Sequence, residues 1–391
     1  MRDSGRTLYK HNSLKKFRDG ISLRSLNSVL IAAALSRVFV FVVAWSSNQF
    51  FGINPDCRLC GDIGVPFLNL FSRWDSAYYV DIAIRGYSSL ITQRWEFFPF
   101  YPLVLGILGR LLGVTLGIPL TLAVNLAGFA VSNLAFLGSV YYLYRISEQV
   151  LEKTQLACNS AFFLVVYPAG VFLSAVYSES LFLLLTFSSI YYWHSNKSGK
   201  CASLSFLATL TRPTGIFLAV PYLYQTMRDS TKRRVLSAYG PPIASLVGYL
   251  VFAAYSQMMT GTPFANIAAE REFWHVSTNP NTILLQAEKD IIAHPITVIF
   301  LALSVLTLVG SVLASRSTEG RALDLYAIIL FISYLTTPII SFPRYSMTLI
   351  PSYWSLARWS ERRWVKLLLS IFFLALLAVA TSLFVNWYSF Y

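Results

Sequence analysis

Carboxylates and arginines set among aromatic rings are the residues of this chain best suited to chemistry. In Arg73-Trp74-Asp75-Ser76-Ala77-Tyr78-Tyr79, Asp75 has tyrosines rather than bases three and four residues downstream. Asp81 and Arg85 stand four apart and are accounted for as a helical ion pair. Asp75 falls near a helix start, where capping is the ordinary reading and general-base work the alternative. In Trp95-Glu96-Phe97-Phe98-Pro99 the second acid lies among apolar neighbours, and desolvation there raises a carboxyl pKa. Arg212, in Thr211-Arg212-Pro213-Thr214-Gly215, interrupts an apolar stretch, where an inserted charge costs about 2.5–3.5 kcal/mol. Arg344 sits in Ser341-Phe342-Pro343-Arg344-Tyr345, and Glu179 follows Tyr177 at the opening of another apolar segment. A carboxylate can take a proton from a hydroxyl, and guanidinium forks match phosphate oxygens.

Composition says what kind of element must hold these residues. The 391 residues are 55% hydrophobic, 16% aromatic and 13% charged, about half the ~25% charge of a soluble domain. Mean hydropathy is +0.56. A soluble enzyme, a disordered regulator and a disulfide-stapled secreted domain are excluded. Apolar segments near the ~20 residues needed to cross a bilayer fall at 26–47, 97–113, 117–143, 156–173, 175–194, 202–226, 238–259, 294–314, 322–340, 345–357 and 365–389. The last but one is short and holds Pro351, so the reading is about 9–11 transmembrane helices. An open strand cannot satisfy its backbone in lipid, so an all-α polytopic membrane protein is expected. Segment 26–47 reads as a retained signal-anchor, giving one transmembrane domain over 26–391 behind a basic terminus, 1–25. From Arg73 to Tyr87 the spacing predicts an interfacial helix, with Trp74, Ala77, Tyr78 and Asp81 on one face and Gly86 as its stop. Pro213 and Gly215 predict a broken helix lining a cavity.

A net charge of +13, from 31 Lys+Arg against 18 Asp+Glu, would point to nucleic acid in a soluble protein. Here the bases gather in short runs between apolar spans, so membrane lipids and not nucleic acid are the expected surroundings. Residues 1–25 belong in the cytoplasm by the positive-inside rule. Strict alternation adds Arg228–Arg234, Arg316/Arg321 and Arg358–Lys366 to that side. It sends 48–100, 144–155, 195–201, 260–293 and the turn Phe342–Arg344 to the outer or lumenal side. Loops 48–100 and 260–293 then frame an outer site, with Glu179 inside unless a neighbouring segment is re-entrant. The sequon Asn196-Lys197-Ser198 falls in an expected outer loop.

Several motifs now stand in a definite order: Arg-Trp-Asp-x-x-Tyr-Tyr from Arg73, Phe-Phe-Pro-x-Tyr-Pro from Phe97, Ser-Ala-Val-Tyr-Ser-Glu-Ser from Ser174, Ala-Thr-x-Thr-Arg-Pro-Thr-Gly from Ala208, and Phe-Pro-Arg-Tyr from Phe342. From about residue 25 to 360 this order resembles the PIG-V/Gpi18 mannosyltransferases of the GT-C superfamily, with two motifs closer to the prokaryotic branch. The resemblance implies a GT-C fold whose first outer loop carries interfacial helices. It also implies transfer of mannose from dolichyl- or polyprenyl-phosphate-mannose to a lipid-linked glycan, as when the second, α1,6-linked mannose is added in GPI-anchor biosynthesis. The membrane is then the endoplasmic reticulum in a eukaryote and the plasma membrane in a prokaryote.

On this reading Asp75 is the base, with Glu96 orienting the acceptor or serving as the alternative base. Arg212, Arg344 and Arg73 are the donor-phosphate residues. Trp74, Tyr78, Tyr177, Glu179 and Trp274 are the substrate-binding candidates. No Gly-rich phosphate loop is present, in keeping with a lipid donor. No ligand cluster of metal-binding spacing stands out, so a divalent metal is not indicated. Cys57-x-x-Cys60 reads as a local disulfide or free thiols. The competing classes are a transporter and a non-catalytic subunit of a glycosylation complex, and the reading leaves room for an accessory membrane subunit.

Overall fold

The computed structural model describes residues 4–54, 62–274, 276 and 279–388. The Cys57/Cys60 pair lies outside them. Every regular element among the described residues is helical. Helix α1 (Ser4–Phe50) is followed by a single turn, α2 (Pro66–Asn69), and by α3 (Ser76–Arg85), which Gly86 ends at φ 75°. The short 3-10 turn Gln93–Glu96 leads into α4 (Phe100–Leu116) and α5 (Leu120–Leu151). Next come α6 (Thr154–Val165), a buried irregular stretch through Gly170–Leu173, α7 (Glu179–His194) and α8 (Ser198–Thr211). A 3-10 segment (Pro213–Leu218) enters α9 (Ala219–Arg228), followed by the turn α10 (Ser230–Arg233) and α11 (Gly240–Thr260).

Two shorter helices, α12 (Ala265–Phe273) and α13 (Pro280–Ala293), precede α14 (Ile296–Ala314) and α15 (Thr318–Leu335). The chain closes with the turn α16 (Phe342–Tyr345), then α17 (Ile350–Trp359) and α18 (Arg363–Val385). Among the described residues, five helical stretches are long and apolar enough to cross a membrane: Arg24–Phe50, Leu120–Leu151, Leu236–Thr260, Ile296–Ala314 and Arg363–Val385. The other passes are shorter or composite. Segment 156–173, for example, is α6 plus an irregular stretch whose residues are buried. Protein rather than lipid surrounds that non-helical backbone, which is the condition for tolerating it at membrane depth.

Two segments depart from the sequence reading, and their effects cancel. Segment 97–113 is not a crossing. The Tyr101 hydroxyl meets Ser132 Oγ at 2.9 Å, while Gly109 lies so close to α5 that a Cβ there would sit 2.8 Å from Val124 Cα. Helix α4 therefore doubles back along the start of α5, away from the end where α5 finishes. Segment 202–226, conversely, is a hairpin and not one span. Ser189 Oγ bonds both Ser205 Oγ on the outgoing leg (2.7 Å) and Tyr222 Oη on the returning leg (2.6 Å). The turn is so tight that a Cβ on Gly215 would lie 2.6 Å from Thr209 Cα.

Alternation is thus inverted between these two points and correct outside them. Gln149 and Glu152, His194 and Asn196, Asp229 and Thr231, and Ser317 and Glu319 line one cavity. Loops 144–155 and 195–201, with the sequon at Asn196, consequently share an end with Arg228–Arg234 and Arg316, against the expectation that they lie opposite. Lys153 meets Glu361 there at 3.9 Å. Glu179 moves with the inversion to the other end, because segment 97–113 doubles back instead of crossing. Cysteines at Lys200 and Ser230 in an otherwise cysteine-free chain should be labelled from one membrane face and a cysteine at Ser89 from the other. If Lys200 and Ser89 label together, the hairpin placement is wrong.

Candidate active site

At the end opposite the basic loops, six separate pieces of chain converge. The first is the turn before α3. Trp74 takes φ 53°, the left-handed region that costs a bulky residue of order 1–3 kcal/mol. That turn leaves Asp75 first in line for the helix but with no side-chain capping bond. Its backbone N–H donates to Tyr177 Oη (3.1 Å), and its carboxylate accepts from Arg344 Nη1 (2.5 Å). Capping is therefore not what Asp75 does with its charge. The predicted Asp81–Arg85 pair is present at 3.4 Å, and Arg94 joins Asp81 at 2.5 Å.

A second ion pair lies beside the first. Arg212 breaks away from α8 in extended conformation (φ −150°, ψ 141°) because Pro213 cannot continue the helix. Its Nη1 donates to Glu179 Oε1 (2.6 Å) and reaches Ser178 Oγ at 3.3 Å. Glu179 occupies the first turn of α7, where the helix dipole favours an anion. Arg344 Nε lies 3.9 Å from the same Glu179 oxygen, so the two pairs are electrostatically continuous. Tyr345 carries both guanidiniums over its ring, Arg212 at 4.9 Å and Arg344 at 5.0 Å from the centroid. Arg344 Nη2 also donates to the Tyr345 hydroxyl (3.1 Å).

Asp75, Glu96, Arg212, Glu270, Arg344 and Tyr345 line a cavity of about 80 Å³. An adjoining one of about 290 Å³ shares Asp75, Glu96, Glu270 and Arg344 and adds Trp74, Tyr78 and Trp274. Tyr78 stacks on Phe97 at 5.1 Å. Three of the sequence candidates stand behind the cavity wall. Tyr177 is fully buried and holds the Asp75 backbone, and Glu179 acts through the two arginines. Arg73 stacks over Trp387 at 5.2 Å and is absent from either lining. Burial pushes its guanidinium down to about 10.

Glu270 and Tyr345 are the residues the sequence reading missed. Glu270 was one acid among several in a polar loop, and its only local signal is Trp274 one turn on. Burial raises the Glu270 carboxyl to about 7. Glu96 is pushed well above the usual carboxylate range, first by burial and then by the charges of Asp75 and Glu270. Among the described residues no group of three or more His, Cys, Asp or Glu is placed to hold a metal ion.

Arg344→Met leaves Asp75 as a buried charge without its partner, a change worth about 3–5 kcal/mol of destabilisation. Adding Asp75→Asn should recover a large part of that loss in thermal unfolding in detergent. Additive losses would mean that the pair is not coupled.

Comparison with known proteins places this geometry. Residues 62–236 match the model of the mannosyltransferase (PIG-V) family. The chain is 28% identical over 212 residues to GPI mannosyltransferase 2 of Yarrowia lipolytica, covering 53% of this chain and 54% of that protein. It is 31% identical over 196 residues to mouse GPI alpha-1,6-mannosyltransferase 2, covering 50% of this chain and 38% of that one. It spans about half the length of the first of these relatives and less of the second. Among solved structures, ArnT from Cupriavidus metallidurans bound to undecaprenyl phosphate superposes with a TM-score of 0.51 at 16% identity, over 86% of this chain and 62% of that one. The apo Archaeoglobus fulgidus oligosaccharyltransferase gives 0.52 at 13% identity, over 93% and 56%. The stretch that supplies Asp75, Glu96, Glu179 and Arg212 thus lies within the part of the chain that matches the PIG-V mannosyltransferase family, on a fold similar to those of ArnT and the archaeal oligosaccharyltransferase.

Proposed function

We propose that this chain is a membrane mannosyltransferase using a polyprenyl- or dolichyl-phosphate-linked mannose and a lipid-linked glycan acceptor. The observation that carries the reading is one cavity walled by carboxylates and by two ion-paired arginines, Arg344 buried and Arg212 half-buried, most of it within the family segment. In the proposed step the acceptor hydroxyl oxygen attacks mannose C1 while the bond from C1 to the phosphate oxygen breaks. The electron pair leaves with the lipid phosphate, and the hydroxyl proton passes to Asp75. Transfer from a β-linked donor then inverts the anomeric centre in a single displacement.

Each wall has a part in this step. Arg344 and Arg212 present guanidiniums where negative charge grows on the leaving phosphate. Glu179 and Tyr345 hold those guanidiniums in place before the donor arrives, so little reorganisation is needed on binding. Trp74, Tyr78 and Trp274 offer ring faces to a sugar. The basic clusters at the far end support an outer or lumenal position for this cavity by the positive-inside rule. A lipid-borne sugar meets the need of such a face, since charged nucleotide sugars are made in the cytoplasm.

Transfer from polyprenyl-phosphate-mannose to membrane lipid extracts, followed by mass spectrometry, tests the reading. Asp75→Asn should lower the rate by about 10²–10⁴ while donor lipid still binds. Residual activity above roughly a tenth would remove Asp75 from the role of base. Arg212→Lys keeps charge but loses the planar fork, so donor use should fall. A silent Arg212→Lys beside a crippled Arg344→Lys would move the phosphate site wholly to Arg344.

A further inference from the structure

A separate cavity lies behind the aromatic wall of the candidate site. It is a groove of about 580 Å³ between the end of α3, the first part of α4 and the C-terminal half of α11. Leu103 and Ile107 on α4 and Val251 and Tyr255 on α11 line it, and all four are exposed. In a chain whose solvent is lipid, an open apolar groove of this kind takes acyl chains.

One end of the groove is cationic. Arg85 and Arg110 line it. Arg85 Nε lies 3.4 Å from Asp81, and Arg94 meets the same carboxylate from the other side. Among the described residues Asp81 is the one carboxylate within 4 Å of these three guanidiniums. Arg110 caps the last carbonyls of α3, donating to Ala83 O (3.0 Å) and Ile84 O (3.1 Å), and also to Gly106 O (3.0 Å). Those bonds use three of its five N–H groups, which leaves its Nε–H and one Nη2–H for a ligand.

The wall between groove and site is one ring layer thick. Phe98 lines the cavity that holds Arg212, Phe252 lines the groove, and their ring centroids are 4.4 Å apart. Along the chain, Glu96 lines the cavity and Pro99 the groove, and three residues span at most about 10 Å.

We infer that this groove holds the lipid anchor of the acceptor. The anchor is a phosphate-bearing membrane lipid, with an acyl chain along α4 and α11 and its phosphate on Arg85 and Arg110. The inference rests on the transferase reading above and says where that reaction's second substrate is held. Transfer between two lipid-borne partners needs two places for lipid. The donor phosphate belongs with Arg212 and Arg344, at the bond that breaks. A second set of arginines, at the end of a separate apolar groove, fits the phosphate that does not react. A glycan carried on that anchor has only the Phe98–Phe252 layer to pass before it meets Glu96.

The probe is phosphatidylinositol with a diazirine on one acyl chain, chosen as an anionic phospholipid with an uncharged polyhydroxyl head. It is photolysed with the full chain in phosphatidylcholine nanodiscs, and the labelled peptides are mapped by mass spectrometry. Label should fall on 100–116 and 240–260, and excess unlabelled phosphatidylinositol should remove it. Ile107→Trp fills the groove from an exposed position and should largely abolish the label. Arg85→Gln should cut it about fivefold, the usual worth of one basic residue to an anionic lipid. Both variants should bind undecaprenyl phosphate as the wild type does, which also shows that they are folded. In transfer to membrane lipid extracts, both should need more extract for half-maximal rate, with donor KM unchanged. Displacement of the label by undecaprenyl phosphate would give the groove to the donor and overturn the inference. Equal labelling by a diazirine phosphatidylcholine, the sign of ordinary bilayer lipid, overturns it too. So do label outside the two segments and variants that label as the wild type does. Groove label as expected in a wild type that transfers no mannose counts against the transferase reading alone.

Discussion

The ion pair between Arg344 and Asp75 ties together residues 269 positions apart, and the site has no shape without it. Two buried charges gain little net stability from each other, because desolvation offsets most of their attraction. Removing one partner is a different matter, since the other is then stranded. The pair therefore acts as a registration device. The turn after α15 cannot drift from the turn before α3 without exposing a buried charge to an apolar surround. Arg212 and Glu179 impose the same constraint between the α8 break and the start of α7, and the shared Tyr345 ring couples both constraints.

The supports behind this cluster are polar groups spent on backbone. Tyr177 holds the Asp75 amide, and Arg37, buried in α1, donates to the Gly170 carbonyl (2.8 Å) and to Ser174 Oγ (3.1 Å). The irregular stretch between α6 and α7 is thus fastened from both sides, and it is this stretch that delivers Tyr177 and Glu179. A continuous helix there would satisfy its own backbone and have no reason to stop at the site.

The broken segment at Arg212 shows how a local sequence signal can be right in kind and incomplete in extent. Pro213 ends α8 and Gly215 admits a close backbone approach, both as the sequence predicts. That the chain then reverses, and does not merely kink, depends on Tyr222 and Gln225 finding Ser189 and Trp193 on α7. No window of the sequence contains those partners. The same holds for α4, whose apolar composition meets the expectation for a span while Gly106 and Gly109 let it lie against α3 and α5.

By itself, the sequence determined the solvent, the helical class, the order of the motifs and which ionisable residues stand in apolar or aromatic settings. Hydropathy, charge clustering and the conformational limits of proline and glycine are local properties, readable one stretch at a time. Asp75, Glu96, Arg212 and Arg344 were legible because an ionisable group in an apolar or aromatic setting is costly wherever the chain goes. Tertiary structure alone decided which acid faces which arginine, that Tyr177 and Arg73 stand behind the wall, and that Glu270 joins the cavity from a loop otherwise unremarkable in sequence. It also decided the sense of every pass between α4 and α9. Alternation along a sequence registers only how many times the chain crosses, whereas a hairpin and a doubled-back helix are distinguished from a crossing solely by the partners they pack against.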